Sequence, residues 1–339
     1  LDIENTEQLL NYLEEYQGVT REDVVGIQVL AGGVSNRTVL VDRRNGPDWV
    51  LKQALEKLRV ADDWFSDPER IHREAEGMRV LKPLTEEGTI VQLVFEDLEH
   101  HIIAMEAVPQ PHANWKSVLL TGLINSSFMI HFGHCLASIH RNFDPSAYPA
   151  DGSLWDQRFF ESLRIEPYYL RSAEQVPEAK EFIDSLVEST RSRVLTLVHG
   201  DYSPKNILLY NDHIVLLDHE VIHIGDPAFD VGFSLTHLLS KANHLPAVRP
   251  LLKSGALMHW GTYKSYIKEA SWADTLEPFV VSHTIGCMLA RVVGRSPLEY
   301  LDSDAKERQK NWCMEAMQNP PVSVKELILS YIEYLNKCL

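Results

Sequence analysis

Eight residues, His199-Gly200-Asp201-Tyr202-Ser203-Pro204-Lys205-Asn206, sit between apolar runs that leave the chain around them few ways to fold. Val194-Leu195-Thr196-Leu197-Val198 ahead of them is apolar and rich in β-branched residues, which predicts a strand delivering a loop. A second apolar run follows the loop, Asn211-Asp212 supplies polar turn chemistry, and Ile214-Val215-Leu216-Leu217 leads into Asp218. The stretch therefore predicts strand, loop, strand, turn, strand. Its spacing carries chemistry as well. Phosphoryl transfer from ATP needs a carboxylate that orients the acceptor hydroxyl and takes its proton, and oxygen ligands that hold Mg²⁺ against the phosphates. An Asp-x-x-x-x-Asn loop with a further Asp on the next strand meets both needs. This makes Asp201 the candidate base and Asn206 and Asp218 the candidate Mg²⁺ ligands. Either piece alone fits a surface turn; the combination does not.

Upstream, Ile27-Gln28-Val29-Leu30 and Thr38-Val39-Leu40-Val41-Asp42 read as strands joined by Ala31-Gly32-Gly33-Val34-Ser35-Asn36. Glycines there let backbone N–H groups approach phosphates without a Cβ in the way, so Gly32, Gly33, Val34, Ser35 and Asn36 are candidate ATP contacts. Lys52 ends a strand, Trp49-Val50-Leu51, after a turn at Asn45-Gly46, and a lysine there reaches the phosphates if a carboxylate holds it. A helix is expected over 67–81, with Asp67 as N-cap and Pro68 at the first helical position. It offers Glu74 and Glu76, which point about 200° apart, so only one faces the lysine. A first helix with Leu9, Leu10 and Leu13 at helical spacing should end at Gly18, and strands are expected over 89–95 and 102–106.

The loop reads His-Gly-Asp, where protein kinases have His-Arg-Asp, and Gly225-Asp226-Pro227-Ala228-Phe229-Asp230-Val231-Gly232 follows it. In both features the chain resembles the aminoglycoside phosphotransferase and choline kinase superfamily, most strongly from about residue 195 to 235. The resemblance implies an α/β (α+β) bilobal, protein-kinase-like fold. Residues 1–107 would form a small β-rich nucleotide-binding lobe, and 108–339 a larger, mainly helical catalytic and substrate-binding lobe. It favours Glu74 as the lysine's partner. It makes Met105-Glu106-Ala107-Val108-Pro109 the hinge, with the Glu106 carbonyl and Val108 N–H reading adenine. It also makes Asp230 a structural carboxylate bracing the loop beside His199. Leu51-Lys52-Gln53-Ala54-Leu55, Arg59-Val60, Trp64 and Gly286–Gly294 further resemble 5-methylthioribose kinases. Those enzymes place adjacent arginines at the substrate where this chain has Ala290-Arg291, and His219-Glu220 replaces a Pro-Glu pair. Tyr202, His219 and Arg291 are the candidate substrate residues, and a sugar or polyol fits the resemblance better than methylthioribose itself.

His219-Glu220-Val221-Ile222-His223 also matches the zinc-protease pattern, which needs a helix to bring both histidines to one metal. The β-branched residues and the Gly-Asp-Pro that follows argue for extended chain, where the histidines would stand about 13 Å apart. Glu220 is better read as a further Mg²⁺ carboxylate. His131 to His140 have helical spacing and predict packing or surface roles for their histidines.

At 339 residues the chain is long enough for two lobes. Its net charge of −16 opposes a nucleic-acid partner. No apolar run of about 18 residues is apparent, which predicts no membrane partner. Four scattered cysteines fit a reduced, cytoplasmic protein. The chain begins Leu1-Asp2-Ile3, which leaves the completeness of its N-terminus open. The expected function is ATP- and Mg²⁺-dependent transfer to a hydroxyl of a sugar, polyol, amino alcohol or aminoglycoside-like small molecule. The alternative is a catalytically silent, kinase-like nucleotide binder.

Overall fold

The strands expected around the glycine-rich turn make one antiparallel sheet. In the computed structural model, which describes residues 1–30, 35–59 and 64–338, β1 (Val24–Val29), β2 (Asn36–Arg43), β3 (Trp49–Ala54), β4 (Leu93–Asp97) and β5 (Ile102–Glu106) are ordered β1-β2-β3-β5-β4. Side chains alternate across a sheet, and here the alternation sorts two cores. Val39, Val41, Leu51, Ile102 and Ala104 face α1 (Thr6–Gln17), which buries Leu9, Tyr12 and Leu13 against them. Asn5 caps that helix by accepting from the Gln8 N–H, and Gly18 ends it with φ +66°. Ile103 and Met105 face the other way, toward Ile71, Ala75 and Met78 of α2 (Arg70–Leu81). Lys52, next to Leu51, falls on this second face, and that is how it meets α2.

Two expectations shift. The helix begins at Arg70, not beside Asp67, because Asp67 closes a turn of its own, its carboxylate accepting from the Glu69 N–H at 3.0 Å. The strand expected over 89–95 starts at Leu93.

Beyond the sheet the chain is mostly helical. β6 (Ala113–Asn114), α3 (Trp115–Leu120) and α4 (Ser126–Asn142) are followed by α5 (Arg158–Phe160), which continues as a π-helical segment, Glu161–Leu170, into α6 (Arg171–Gln175). After α7 (Lys180–Ser192) come β7 (Thr196–Val198), β8 (Ile207–Tyr210), β9 (His213–Leu216) and β10 (His223–Gly225), then α8 (Pro227–His244), α9 (Arg249–Ile267), α10 (Ala273–Val293), α11 (Ser303–Gln318) and α12 (Val324–Lys337). The expected strand, loop, strand, turn, strand order is present: β8 and β9 are joined by Asn211 and Asp212 at φ 47° and 62°. Asp226 caps α8 by accepting from the Ala228 N–H, and α8 and α10 pack as the central helices of this region.

By length and composition α10 is apolar enough to cross a membrane, contrary to the expectation that no such stretch exists, yet 67% of its apolar window is buried inside the fold. Its hydrophobicity is that of a core helix. Cys135, Cys287 and Cys313 are buried and Cys338 exposed, all unpaired among the described residues.

Candidate active site

β7 delivers His199-Gly200-Asp201 to the mouth of a cavity, and the backbone there is fixed by one carboxylate. Asp230, on the first turn of α8 and wholly buried, accepts from the His199 N–H at 2.6 Å and the Gly200 N–H at 2.8 Å. His140 of α4 sits 3.2 Å from the same carboxylate and 2.8 Å from the Tyr263 hydroxyl. Burial would raise the Asp230 carboxyl, but His140, His199 and the backbone donors hold it below its ordinary range. Gly200 has φ +77°, and a Cβ on it would stand 3.0 Å from the Val221 carbonyl oxygen, so the loop requires glycine here.

Asp201 then reaches the cavity with both oxygens engaged. Asn206 Nδ2 donates to Oδ2 at 2.7 Å, and the Arg164 guanidinium lies 3.0 Å from Oδ1. Arg164, in the π-helical segment, also donates to the carbonyls of Gly200 and Leu163, each at 2.7 Å. A planar guanidinium with three fixed acceptors holds the orientation of the Asp201 carboxylate as well as balancing its charge.

Asp218 follows β9 with φ 69°, a left-handed conformation that turns its carboxylate back to Lys52 at 3.2 Å. Lys52 is bound more closely by Glu74, at 2.6 Å, so the helix partner is Glu74; Glu76 bonds Tyr148 and Ser153 instead. Burial works against charge on Lys52, but Asp218, Glu74 and Glu220 together hold its ammonium above the ordinary lysine range. Burial likewise raises Asp218, and Lys52 and Lys205 more than offset it, leaving the carboxylate ionised. Glu74, buried beside other carboxylates, is pushed up against the pull of Lys52. At 2.6 Å the charged pair is the state these positions hold.

Glu220 receives Arg70 at 3.1 Å and Asn36 at 3.3 Å. Arg70, fully buried on α2, further donates to the carbonyls of Ser66, Asp67, Leu55 and Ser35. It thus ties the end of the glycine-rich turn to the Asp218-His219-Glu220 loop.

These side chains open on a cavity of about 960 Å³. Ser35, Asn36, Lys52, Glu106, Val108, Asp201, Asn206, Asp218, Glu220 and Arg291 all line it. Gly32, Gly33 and Val34 lie outside the described residues. Two expected substrate residues do not reach it. Tyr202 is wholly buried, stacked on Phe132 at 4.4 Å with its hydroxyl donating to the Phe132 carbonyl, because alternate loop residues point into the helical core. His219 packs between His199, 3.1 Å from its ring, and the Cα of Gly77, where an added Cβ would clash. Burial depresses both imidazoles, with the His199–His219 contact adding to the effect on His219. The zinc-protease pattern is not helical: His223 begins β10, bonded to the Val221 carbonyl and packed on Phe160. Among the described residues no three His, Cys, Asp or Glu side chains are grouped to hold a metal.

Sequence reasoning missed Arg164 and Arg70. Arg164 belongs to no motif, and Arg70 reads as one more charge on an amphipathic helix. Only the π-helical turn, a geometry frequent at functional sites, would have marked the first.

A sequence model of a family described as the phosphotransferase enzyme family matches residues 26–263. Among solved structures, a choline/ethanolamine kinase family protein from Mesorhizobium loti has a TM-score of 0.57 at 12% identity, covering 98% of this chain and 99% of its own. A putative fructosamine-3-kinase from Thermobifida fusca has 0.54 at 17% identity, covering 93% and 99%. Amicoumacin kinase in complex with AMP-PNP and Ca²⁺ has 0.56 at 12% identity, covering 94% and 95%. At these identities the likeness establishes the fold, a kinase-like sheet region joined to a larger helical region. No curated protein matches the sequence.

Proposed function

The chain belongs to the phosphotransferase enzyme family, and from that premise we propose that it transfers the γ-phosphate of ATP to a hydroxyl of a small molecule, a sugar, polyol, amino alcohol or aminoglycoside-like compound. One observation carries the reading: Asp201, Asn206 and Asp218 line one cavity with Lys52, which stands about 150 residues earlier in the chain. Residues 1–107 are taken as the nucleotide lobe and 108–339 as the catalytic and acceptor lobe. The Glu106 carbonyl and Val108 N–H would read adenine, and Ser35 and Asn36 would sit beside the phosphates. Lys52, held by Glu74, would contact the phosphate oxygens.

The residues fit Mg²⁺. Asp218 offers an ionised carboxylate, and Asn206 spends its Nδ2 on Asp201, leaving Oδ1 with no donor among the described residues. Glu220 offers a further carboxylate oxygen, though Arg70 already shares its charge. When bound, Mg²⁺ neutralises charge developing on the β- and γ-phosphates. Asp201 orients the acceptor hydroxyl and receives its proton, while Arg164 and Asn206 keep the carboxylate aimed, so catalysis comes from positioning. The unpaired cysteines fit a cytoplasmic location.

The test is acceptor-dependent ADP formation from Mg·ATP across hydroxylated metabolites, with Asp201→Ala as control. Turnover that disappears in the variant, with nucleotide still stabilising the fold in thermal shift, supports the reading. Undiminished turnover in Asp201→Ala removes Asp201 as the base. Nucleotide binding without transfer to any acceptor leaves a silent kinase-like binder.

A further inference from the structure

The acceptor end of the cavity is charged against the trend of the protein. The chain carries a net −16, yet beyond Asp201, Asp218 and Glu220 the lining carboxylates are Asp42, Asp48 and Glu106. These stand on β2, the turn before β3 and the hinge, the nucleotide end. Around the other end the wall is Arg164, Tyr168, Phe233, His237, Arg291 and Ser296, with no carboxylate of its own.

Arg291 is the unbalanced member. It is 9% exposed, on α10, and spends Nη1 on the Tyr168 hydroxyl at 3.1 Å and on the Ser296 carbonyl. Among the described residues no carboxylate pairs with it, its buried Nε has no partner, and Nη2 makes no hydrogen bond. His237, 5% exposed, likewise has a buried Nε2 without a partner. Arginines elsewhere in the site are balanced, Arg70 by Glu220 and Arg164 by Asp201. Nε is buried, and a guanidinium that lines a cavity with Nη2 unspent is a group suited to an oxyanion.

The aromatic wall argues against a cation. Faces of Tyr168 and Phe233 are what an ammonium would stack on, but the chain's own guanidiniums hold those positions. Arg164 lies 5.5 Å from the Tyr168 ring and 6.0 Å from Phe233, and Arg291 5.4 Å from Tyr168. Behind them Lys241, fully buried, has its ammonium 5.2 Å from the Tyr300 ring and, among the described residues, only the His237 carbonyl as acceptor. Burial first, then the charges of Lys116 and Arg291, push it down to about 7 against the pull of Glu299, whose carboxylate pairs with Lys116.

We propose that Arg291, flanked by His237 and Arg164, is a subsite for an oxyanion carried by the acceptor, so that the substrate is a hydroxylated carboxylate or phosphate ester. The proposal rests on the kinase reading and narrows it away from choline-like and aminoglycoside-like acceptors.

The experiment measures kcat/KM with Mg·ATP for matched acceptors: gluconate and glycerate as carboxylates, glycerol 3-phosphate as a phosphate ester, glucitol and glycerol as neutral compounds, and choline, ethanolamine and kanamycin as cations. An anionic acceptor should exceed the neutral and cationic ones, and the carboxylate and phosphate arms tell which oxyanion is taken. Arg291→Gln should cut the ratio of anionic to neutral turnover by about 10- to 100-fold, mostly through KM, with partial recovery in Arg291→Lys. Preference for a neutral or cationic acceptor, or a ratio unmoved in a folded Arg291→Gln, overturns this inference and leaves the kinase reading intact. Transfer to none of them, with nucleotide bound, overturns both. Should Arg291→Gln fail to fold, the wild-type series alone decides.

Discussion

The loop that carries Asp201 and the wall that carries Arg291 line one cavity, and their charged groups are paired to different degrees. At the loop three groups have counterparts inside the chain: two backbone N–H groups on Asp230, Asn206 and Arg164 on Asp201, Glu74 and Asp218 on Lys52. At the wall, among the described residues, Arg291 and His237 keep buried polar nitrogens without partners, and behind it Lys241 has one carbonyl. Buried polar groups are normally paired, because an unmade hydrogen bond costs more than a made one contributes. The Asp201 carboxylate is thus held in place within the protein, whereas Arg291 keeps donors unspent among the described residues.

The strongest way to break this comparison is at the loop. Asp201→Ala should lower turnover by about 10²- to 10⁴-fold, the range for losing a positioned proton acceptor, with nucleotide binding retained; steady-state rates and thermal shift with ATP measure both. At the wall, Lys241 tests the opposite condition. Its folded pKa, about 7, lies below the ordinary value of 10.5, so the unfolded chain binds more protons between the two and stability should rise with pH through that window. Lys241→Met should remove that slope, gaining about 3 kcal/mol on the wild type at pH 7 relative to pH 10, as read by urea denaturation at both values.

Asp230→Asn replaces an acceptor shared by two backbone donors and His140. A loss of about 2–3 kcal/mol is expected, with kcat falling more than KM rises as the loop loosens. Because Asp230 titrates below its ordinary range, its contribution should be present above the unfolded pKa and fade as pH falls through the folded one. The smallest effect sharpens the boundary between the two regions. Tyr202→Phe should cost about 1 kcal/mol for the lost bond to the Phe132 carbonyl and leave acceptor KM unmoved. A large KM change would return Tyr202 to the substrate.

Much of the loop side was legible because its signals are local. Asp201, Asn206 and Asp218 lie within eighteen positions, and β-patterned runs fix how they are displayed. Lys52 was readable from its strand; helical geometry allowed only one of Glu74 and Glu76 to face it, and the family resemblance favoured Glu74. For the groups that brace the loop from outside, the signals are remote. Arg164 lies 36 residues from the Gly200 carbonyl it binds, Arg70 lies 150 from Glu220, and His140 lies 90 from Asp230. Nothing near those residues in the chain marks the partner. Tyr202 was misread for the converse reason: its neighbours are site residues, but alternation turns it into the core.

By itself the sequence pointed to a phosphotransferase and to candidate groups for its site, since covalent spacing and strand or helix period set which neighbours can act together. Tertiary structure alone decided which charges are cancelled and which are left open. Ion pairing depends on distance in space and on burial, and the 166 residues between Lys52 and Asp218 become 3.2 Å only when the sheet closes over the helices.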